Sequence, residues 1–293
     1  MTEFIDNLIA PENLHDLIKQ KYDNVKVLDA SFTLPGTSPD AREIYHTKRL
    51  PNARFFDIDQ ACDKNSDLPH MLPDTDTFAQ YVGSLGIKNT DKVVLYGQQS
   101  VAMGPCRALW MFEIFGHKDV VILNAGLNHW EKLGHQIETG MPESVRRQDY
   151  KHYKAEFDDS QLAGLDDVQD ALKKKYTILD ARPPERFSGQ QPEPRENLRA
   201  GHMPGAVNLP ASQLINPETG GFKNPEEIKD IIDKCLGQNV SDVITTCGSG
   251  VTACVLRQGL KLSKFKSLRV YDGSWSQWGQ ACLSTPVSQT PYS

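Results

Sequence analysis

The chain has 293 residues, 39% of them hydrophobic and 24% charged, with a formal net charge of −6. That is the composition of a globular chain long enough for two cores, and it argues against disorder. No apolar run approaches the ~20 residues of a membrane-spanning helix, and there is no basic excess to neutralise the phosphates of a nucleic acid.

The N-terminus, Met1-Thr2-Glu3-Phe4-Ile5-Asp6, carries acids and no basic region. A secretory or mitochondrial leader is therefore not expected, and the cytosol is the default compartment, with mitochondria the alternative. Six cysteines (Cys62, Cys106, Cys235, Cys247, Cys254 and Cys282) are scattered along the chain, and none forms a C-x-x-C pair. They are expected to be free thiols, with no metal site and no cofactor.

In chain order, the first strand signal is Val25-Lys26-Val27-Leu28-Asp29-Ala30. A turn entering a strand follows over 50–56, then a helix over 75–85, a strand over 92–96, a helix over 105–115 and a strand over 121–124 ahead of Trp130. A polar stretch, 141–157, reads as a linker. The same order then recurs, starting with Tyr176-Thr177-Ile178-Leu179-Asp180-Ala181 and a turn into a strand over 203–209. A helix over 225–235, strands over 242–246 and 268–272, a helix over 251–262, and Trp278 complete the second series. Matched landmarks about 150 residues apart indicate a tandem duplication. Strands alternating with helices predict an α/β fold in each half, a mostly parallel sheet flanked by helices. The expected division is 1–140, a linker at 141–157, a second domain at 158–284 and a surface tail at 285–293.

The strand ending at Thr246 runs into Cys247-Gly248-Ser249-Gly250-Val251-Thr252 and then a helix. Ligands bind at this edge of an open α/β sheet. Glycines let successive N–H groups converge on one point, and N–H groups at a helix N-terminus favour a thiolate, or the persulfide that replaces it. Cys247 is therefore the candidate nucleophile. The first half has Gly97 at the same position and would lack the reactive group. A cysteine phosphatase needs an arginine six residues after the cysteine to clamp phosphate; here that residue is Ala253, and the next cation is Arg257.

The duplication, Leu179-Asp180-Ala181-Arg182, Glu193-Pro194-Arg195, Gly201-His202-Met203-Pro204-Gly205-Ala206 and the Cys247 loop together resemble the rhodanese superfamily, in its two-domain thiosulfate/3-mercaptopyruvate sulfurtransferase branch. The resemblance spans nearly the whole chain. It implies tandem rhodanese-like domains, an inactive first copy, and a persulfide formed on Cys247. Thiosulfate-preferring members look like C-R-K-G-V-T, whereas 3-mercaptopyruvate-preferring members look like C-G-S-G-V-T, as here from Cys247 to Thr252.

By the same resemblance, Arg186 and Arg195 bind the donor's carboxylate, and the loop residues Gly248, Gly250, Val251 and Thr252 complete the substrate site. Asp59 and His70 match an acid and a histidine that, with Ser249, would form a proton-relay set resembling a serine triad. Arg182, directly after Asp180, is expected to make a structural ion pair, and His202 a structural hydrogen bond. The expected activity is transfer of sulfur from 3-mercaptopyruvate to thioredoxin, another thiol, cyanide or a sulfur-relay protein, with release of pyruvate. Thiosulfate sulfurtransferase activity, a carrier role in tRNA thiolation, and a rhodanese-like binding module without turnover are the alternatives. No direct nucleic-acid or membrane partner is expected.

Overall fold

The structure is a computed structural model that describes residues 7–20, 22–34, 37–142, 149–174, 176–237, 240 and 242–289. The N-terminal hexapeptide, residues 143–148 of the expected linker and 290–293 of the expected tail lie outside the described residues.

The first unit begins with β1 (Leu8–Ile9), α1 (Pro11–Lys19), β2 (Val25–Asp29), α2 (Ala41–Thr47), β3 (Lys48–Arg49) and β4 (Arg54–Phe55). It continues with α3 (Thr75–Ser84), β5 (Lys92–Gly97), α4 (Pro105–Ile114), β6 (Val120–Gly126), α5 (Leu127–Lys132) and β7 (Glu138–Thr139). The second has β8 (Leu162–Ala163), α6 (Leu165–Lys174), β9 (Thr177–Asp180), α7 (Pro184–Phe187), β10 (Val207–Asn208) and α8 (Pro225–Leu236). After these come β11 (Asp242–Thr246), α9 (Ala253–Leu262), β12 (Ser267–Tyr271) and α10 (Ser274–Trp278).

Among the described residues each unit has one five-stranded sheet, ordered β4-β2-β5-β6-β1 and β10-β9-β11-β12-β8, and every pairing in both is parallel. The order is the same element for element, as a duplication requires. Central strands of a parallel sheet are covered on both faces, which explains the continuous apolar runs of β5 and β6. The cores gather Val94, Tyr96, Leu123 and Trp130 in one unit and Ile178, Ile244, Trp275 and Trp278 in the other. Burying each such large side chain contributes roughly 1.5–3 kcal/mol.

Register fixes the correspondence between the copies. Asp29 pairs with Tyr96, and Asp180 with Thr246, so Gly97 and Cys247 are each the next residue after equivalent strand ends. The loop contacts agree: Ala30 N–H donates to the Tyr96 carbonyl, and Ala181 N–H to that of Thr246, both at 2.9 Å.

Contacts divide the chain into units that are not contiguous halves. Ile215–Phe222 groups with the first unit and Asn65–Met71, which includes His70, with the second. Inside the first unit, Val101 N–H donates to the Gly220 carbonyl (2.9 Å) and Gly126 N–H to that of Thr219 (2.8 Å). Gly220 has φ +73°, and a Cβ there would lie 2.1 Å from the Gln99 carbonyl oxygen, so only glycine fits. The described end of the expected linker packs on the first unit: Lys151 N–H donates to Gly83 (3.0 Å), and the Tyr153 hydroxyl meets His117 Nδ1 (3.1 Å). Nor does 285–289 hang free as a surface tail. Arg199 Nη1 donates to the Thr285 carbonyl (2.7 Å), Trp278 Nε1 to that of Pro286 (2.8 Å), and Ser288 bridges to His202. No helix of the described residues is long and apolar enough to cross a membrane.

Candidate active site

The loop 247–252 leaves the carboxyl end of β11, a central strand, and enters α9 two residues later than the sequence predicts. Val251 and Thr252 stay outside the helix because Gly250 turns the chain with φ +75°. Cys247 is 2% exposed, Ser249 8%, and Gly248 is partly open.

The carbonyls of Cys247 and Gly248 point at α10. Trp275 N–H donates to the Cys247 carbonyl (3.0 Å), and both the N–H (2.8 Å) and hydroxyl (2.7 Å) of Ser276 donate to that of Gly248. In a trans peptide the N–H points opposite to the preceding carbonyl. The N–H groups of Gly248 and Ser249 are therefore turned away from α10, into the loop. Those of Gly248, Ser249, Val251 and Thr252 have no hydrogen-bond partner among the described residues. Two others do not converge as the sequence predicts: Cys247 N–H (3.2 Å) and Gly250 N–H (3.1 Å) both donate to Ser274 Oγ. Ser274 is fully buried at φ +47°, and its hydroxyl donates to the Tyr271 carbonyl (2.8 Å). Nothing in the sequence flags this residue, 27 positions from Cys247.

A buried charge network lies beside the loop. Glu193 Oε1 accepts from Arg182 Nη1 (2.9 Å) and Arg186 Nε (3.3 Å), and its Oε2 accepts from Arg186 Nη2 (2.5 Å). Arg182 also grips Asp180 through Nε (3.0 Å) and Nη2 (2.7 Å) and lies 4.3 Å over the Trp275 ring. Burial opposes its charge, but Asp180 and Glu193 outweigh that and hold its pKa above the ordinary arginine value. The ion pair expected of Arg182 is thus present. Arg186 differs: 19% exposed, its Nη2 lies 2.9 Å from where a Gly248 Cβ would be.

Arg195 Nη2 reaches Ser249 Oγ and His70 Nε2, each at a long 3.4 Å. A guanidinium has only donors, so Ser249 Oγ is the accepting side of its contact. Ser249 and His70 thus meet through Arg195. Asp59 is an exposed residue of the first unit, where its N–H donates to Asp57 Oδ1 (3.0 Å) and its carbonyl accepts from Lys64 and Cys62. His202 Nδ1 meets the Phe187 carbonyl at 2.8 Å, its ring stacks on Phe187 at 3.9 Å, and burial lowers its pKa. Among the described residues no His/Cys/Asp/Glu cluster could hold a metal ion.

The first unit shows what the loop becomes without its nucleophile. Gln98 Nε2 takes the Asp29 carboxylate at 2.5 Å. A Cβ at Gly97 would lie 2.3 Å from the Ser100 carbonyl oxygen.

A family model for the rhodanese-like domain matches twice, over residues 10–133 and 164–281. The chain belongs to the rhodanese family. It is 38% identical over 257 residues to the 3-mercaptopyruvate sulfurtransferase of Mus musculus, covering 87% of this chain and 84% of that one. It is 39% identical over 271 residues to the thiosulfate sulfurtransferase of Cricetulus griseus, covering 90% and 89%. Among solved structures, Tum1 from Saccharomyces cerevisiae superposes with a TM-score of 0.84 at 29% identity, covering 94% of this chain and 95% of that one. Overall identity does not separate the two named activities.

Proposed function

We propose that the protein is a sulfurtransferase that moves sulfur from 3-mercaptopyruvate through a persulfide on Cys247 to a thiol acceptor, releasing pyruvate. The observation that carries this reading is the loop itself: a buried strand-end cysteine followed by unengaged N–H groups, with Arg186 against Gly248 and Arg195 at Ser249. The relatives named above support the reaction class.

Arg186 and Arg195 hold the donor's carboxylate and keto oxygens and orient its sulfur toward Cys247. The Cys247 thiolate attacks that sulfur and the carbon–sulfur bond breaks. The bonding pair leaves on carbon as the enolate of pyruvate, which takes up a proton. N–H groups of Gly248, Ser249, Val251 and Thr252 stabilise the thiolate and then the persulfide anion. Ser249 and His70, meeting at Arg195, serve proton transfer between the donor thiol and the enolate. Asp59 belongs to the proposal through its motif match alone.

In the second half-reaction the outer sulfur passes to an acceptor thiol and Cys247 is regenerated. Thioredoxin or a sulfur-relay protein fits that role, as does cyanide in vitro. Thiosulfate is the second donor to consider, because relatives bearing that name are equally similar. Mass spectrometry after donor treatment should add one sulfur to the chain, with one pyruvate released per sulfur. Retention of that mass in Cys247→Ser would overturn the assignment.

A further inference from the structure

The two carboxylates and two guanidiniums beside the loop, Asp180, Arg182, Glu193 and Arg186, sum to zero charge. Arg182 is wholly committed: its donors go to Asp180, Glu193 and the Gly201 carbonyl, and it is 1% exposed. Glu193, its side chain 2% exposed, then spends its remaining capacity on Arg186, taking Nε and Nη2 side-on. This grip leaves Arg186 Nη1 with no hydrogen-bond partner among the described residues and lays the guanidinium on the Cα of Gly248. An arginine end normally swings away cheaply from an added methyl group. Here a bidentate, charge-assisted contact resists that movement.

We infer that Glu193 is a positioning residue that sets donor choice: it aims Arg186 into the space left by Gly248 and cancels one positive charge at the site. The inference rests on the sulfurtransferase reading above. A site with one guanidinium already neutralised suits a donor carrying a single carboxylate. A doubly charged anion such as thiosulfate would gain from a stronger positive field. The glycine is then required for its lack of a side chain, independently of any charge a replacement brings. A side chain at 248 must push Arg186 off its seat and break the Glu193 contact.

The test is a double-mutant cycle on the intact chain, measuring kcat/KM for 3-mercaptopyruvate and for thiosulfate in wild type, Glu193→Gln, Gly248→Ala and the double variant. Glu193→Gln should raise the thiosulfate-to-mercaptopyruvate ratio by at least about tenfold, as expected for loss of one charged hydrogen bond. Gly248→Ala, which adds no charge, should raise KM for 3-mercaptopyruvate by about the same factor. In the double variant Arg186 is no longer pinned, so the two effects should not add. An equal fall with both donors, or strict additivity, overturns the inference. Should Glu193→Gln not fold, an unchanged KM in Gly248→Ala overturns it alone. Failure of the underlying reading looks different: wild type would form no Cys247 persulfide with 3-mercaptopyruvate.

Discussion

Ser274 Oγ stands 3.2 Å from the backbone nitrogen of Cys247 and 3.1 Å from that of Gly250, so one hydroxyl closes both ends of the loop. The hydroxyl is pinned in turn by the Tyr271 carbonyl, at the end of the neighbouring strand β12. The geometry of the candidate nucleophile is thus set by a residue on another element. Ser274→Ala would take this acceptor away from two buried N–H groups, a loss of about 1–3 kcal/mol each. The variant should unfold about 2–4 kcal/mol more readily. Its kcat should also fall, because the loop that carries Cys247 loses its frame. A denaturant titration with wild-type midpoint would show that the hydroxyl does not hold the loop.

Arg182 is expected to be structural in a way Arg186 is not. Removing it strands Asp180, about 1% exposed at the side chain, without its cation and leaves Glu193 with Arg186 alone. Breaking a buried ion pair from one side costs about 3–5 kcal/mol. Arg182→Met should lose that much in urea melts. Arg182→Lys should recover only part of it, since an ammonium cannot bridge two carboxylates in one plane and stack on Trp275. Full recovery with lysine would mean that charge alone matters there.

Much of this arrangement was legible in the sequence, for definable reasons. The strands Val25–Asp29, Lys92–Gly97 and Asp242–Thr246 are short runs rich in β-branched residues, and their recurrence in the same order marks the duplication. Cys247 stood out because a strand end, glycines and a helix start are all local signals. What stayed hidden is non-local. Ser274 lies 27 residues from Cys247 in a segment without periodicity, and a serine gives no signal of a left-handed backbone as a glycine would. Glu193 was visible as part of a motif but not as the group that aims Arg186. The crossing of Asn65–Met71 and Ile215–Phe222 between units depends on contacts between segments far apart in sequence, which no local pattern encodes.

Gly97 offers a test of why one copy is inert. If the missing thiol were the whole difference, Gly97→Cys would create a second persulfide site. The backbone says otherwise: a Cβ there would meet the Ser100 carbonyl oxygen at 2.3 Å and Pro105 Cγ at 3.1 Å. Gly97→Cys should therefore destabilise the first unit by about 1–3 kcal/mol through overpacking. With Cys247→Ser in the same chain, donor treatment should add no sulfur. A sulfur adduct on that double variant would show that the loop at 97 can still assemble.

The strand-end acids Asp29 and Asp180 occupy equivalent positions but different electrostatic worlds. Asp180 has Arg182; the hydrogen-bond partners of Asp29 are neutral, among them the Ser31 N–H at 3.0 Å, Gln98 Nε2 at 2.5 Å and the Tyr96 hydroxyl. Burial raises the Asp29 pKa above its ordinary 3.8, and the hydrogen bonds only partly oppose it. The native state therefore holds this proton to higher pH than the unfolded chain does. The sign follows: the contribution of Asp29 to stability is fully present below the unfolded value and is lost as pH rises through the native one. Asp29→Asn should remove that loss. An asparagine can still accept from Ser31, and its amide can donate to Gln98 Oε1, a buried acceptor with no partner among the described residues. The difference in Tm, variant minus wild type, should be small near about pH 4 and grow more positive as pH rises, levelling off above the native pKa. A difference that stays constant across pH would mean that Asp29 titrates alike in both states, its hydrogen bonds fully compensating its burial.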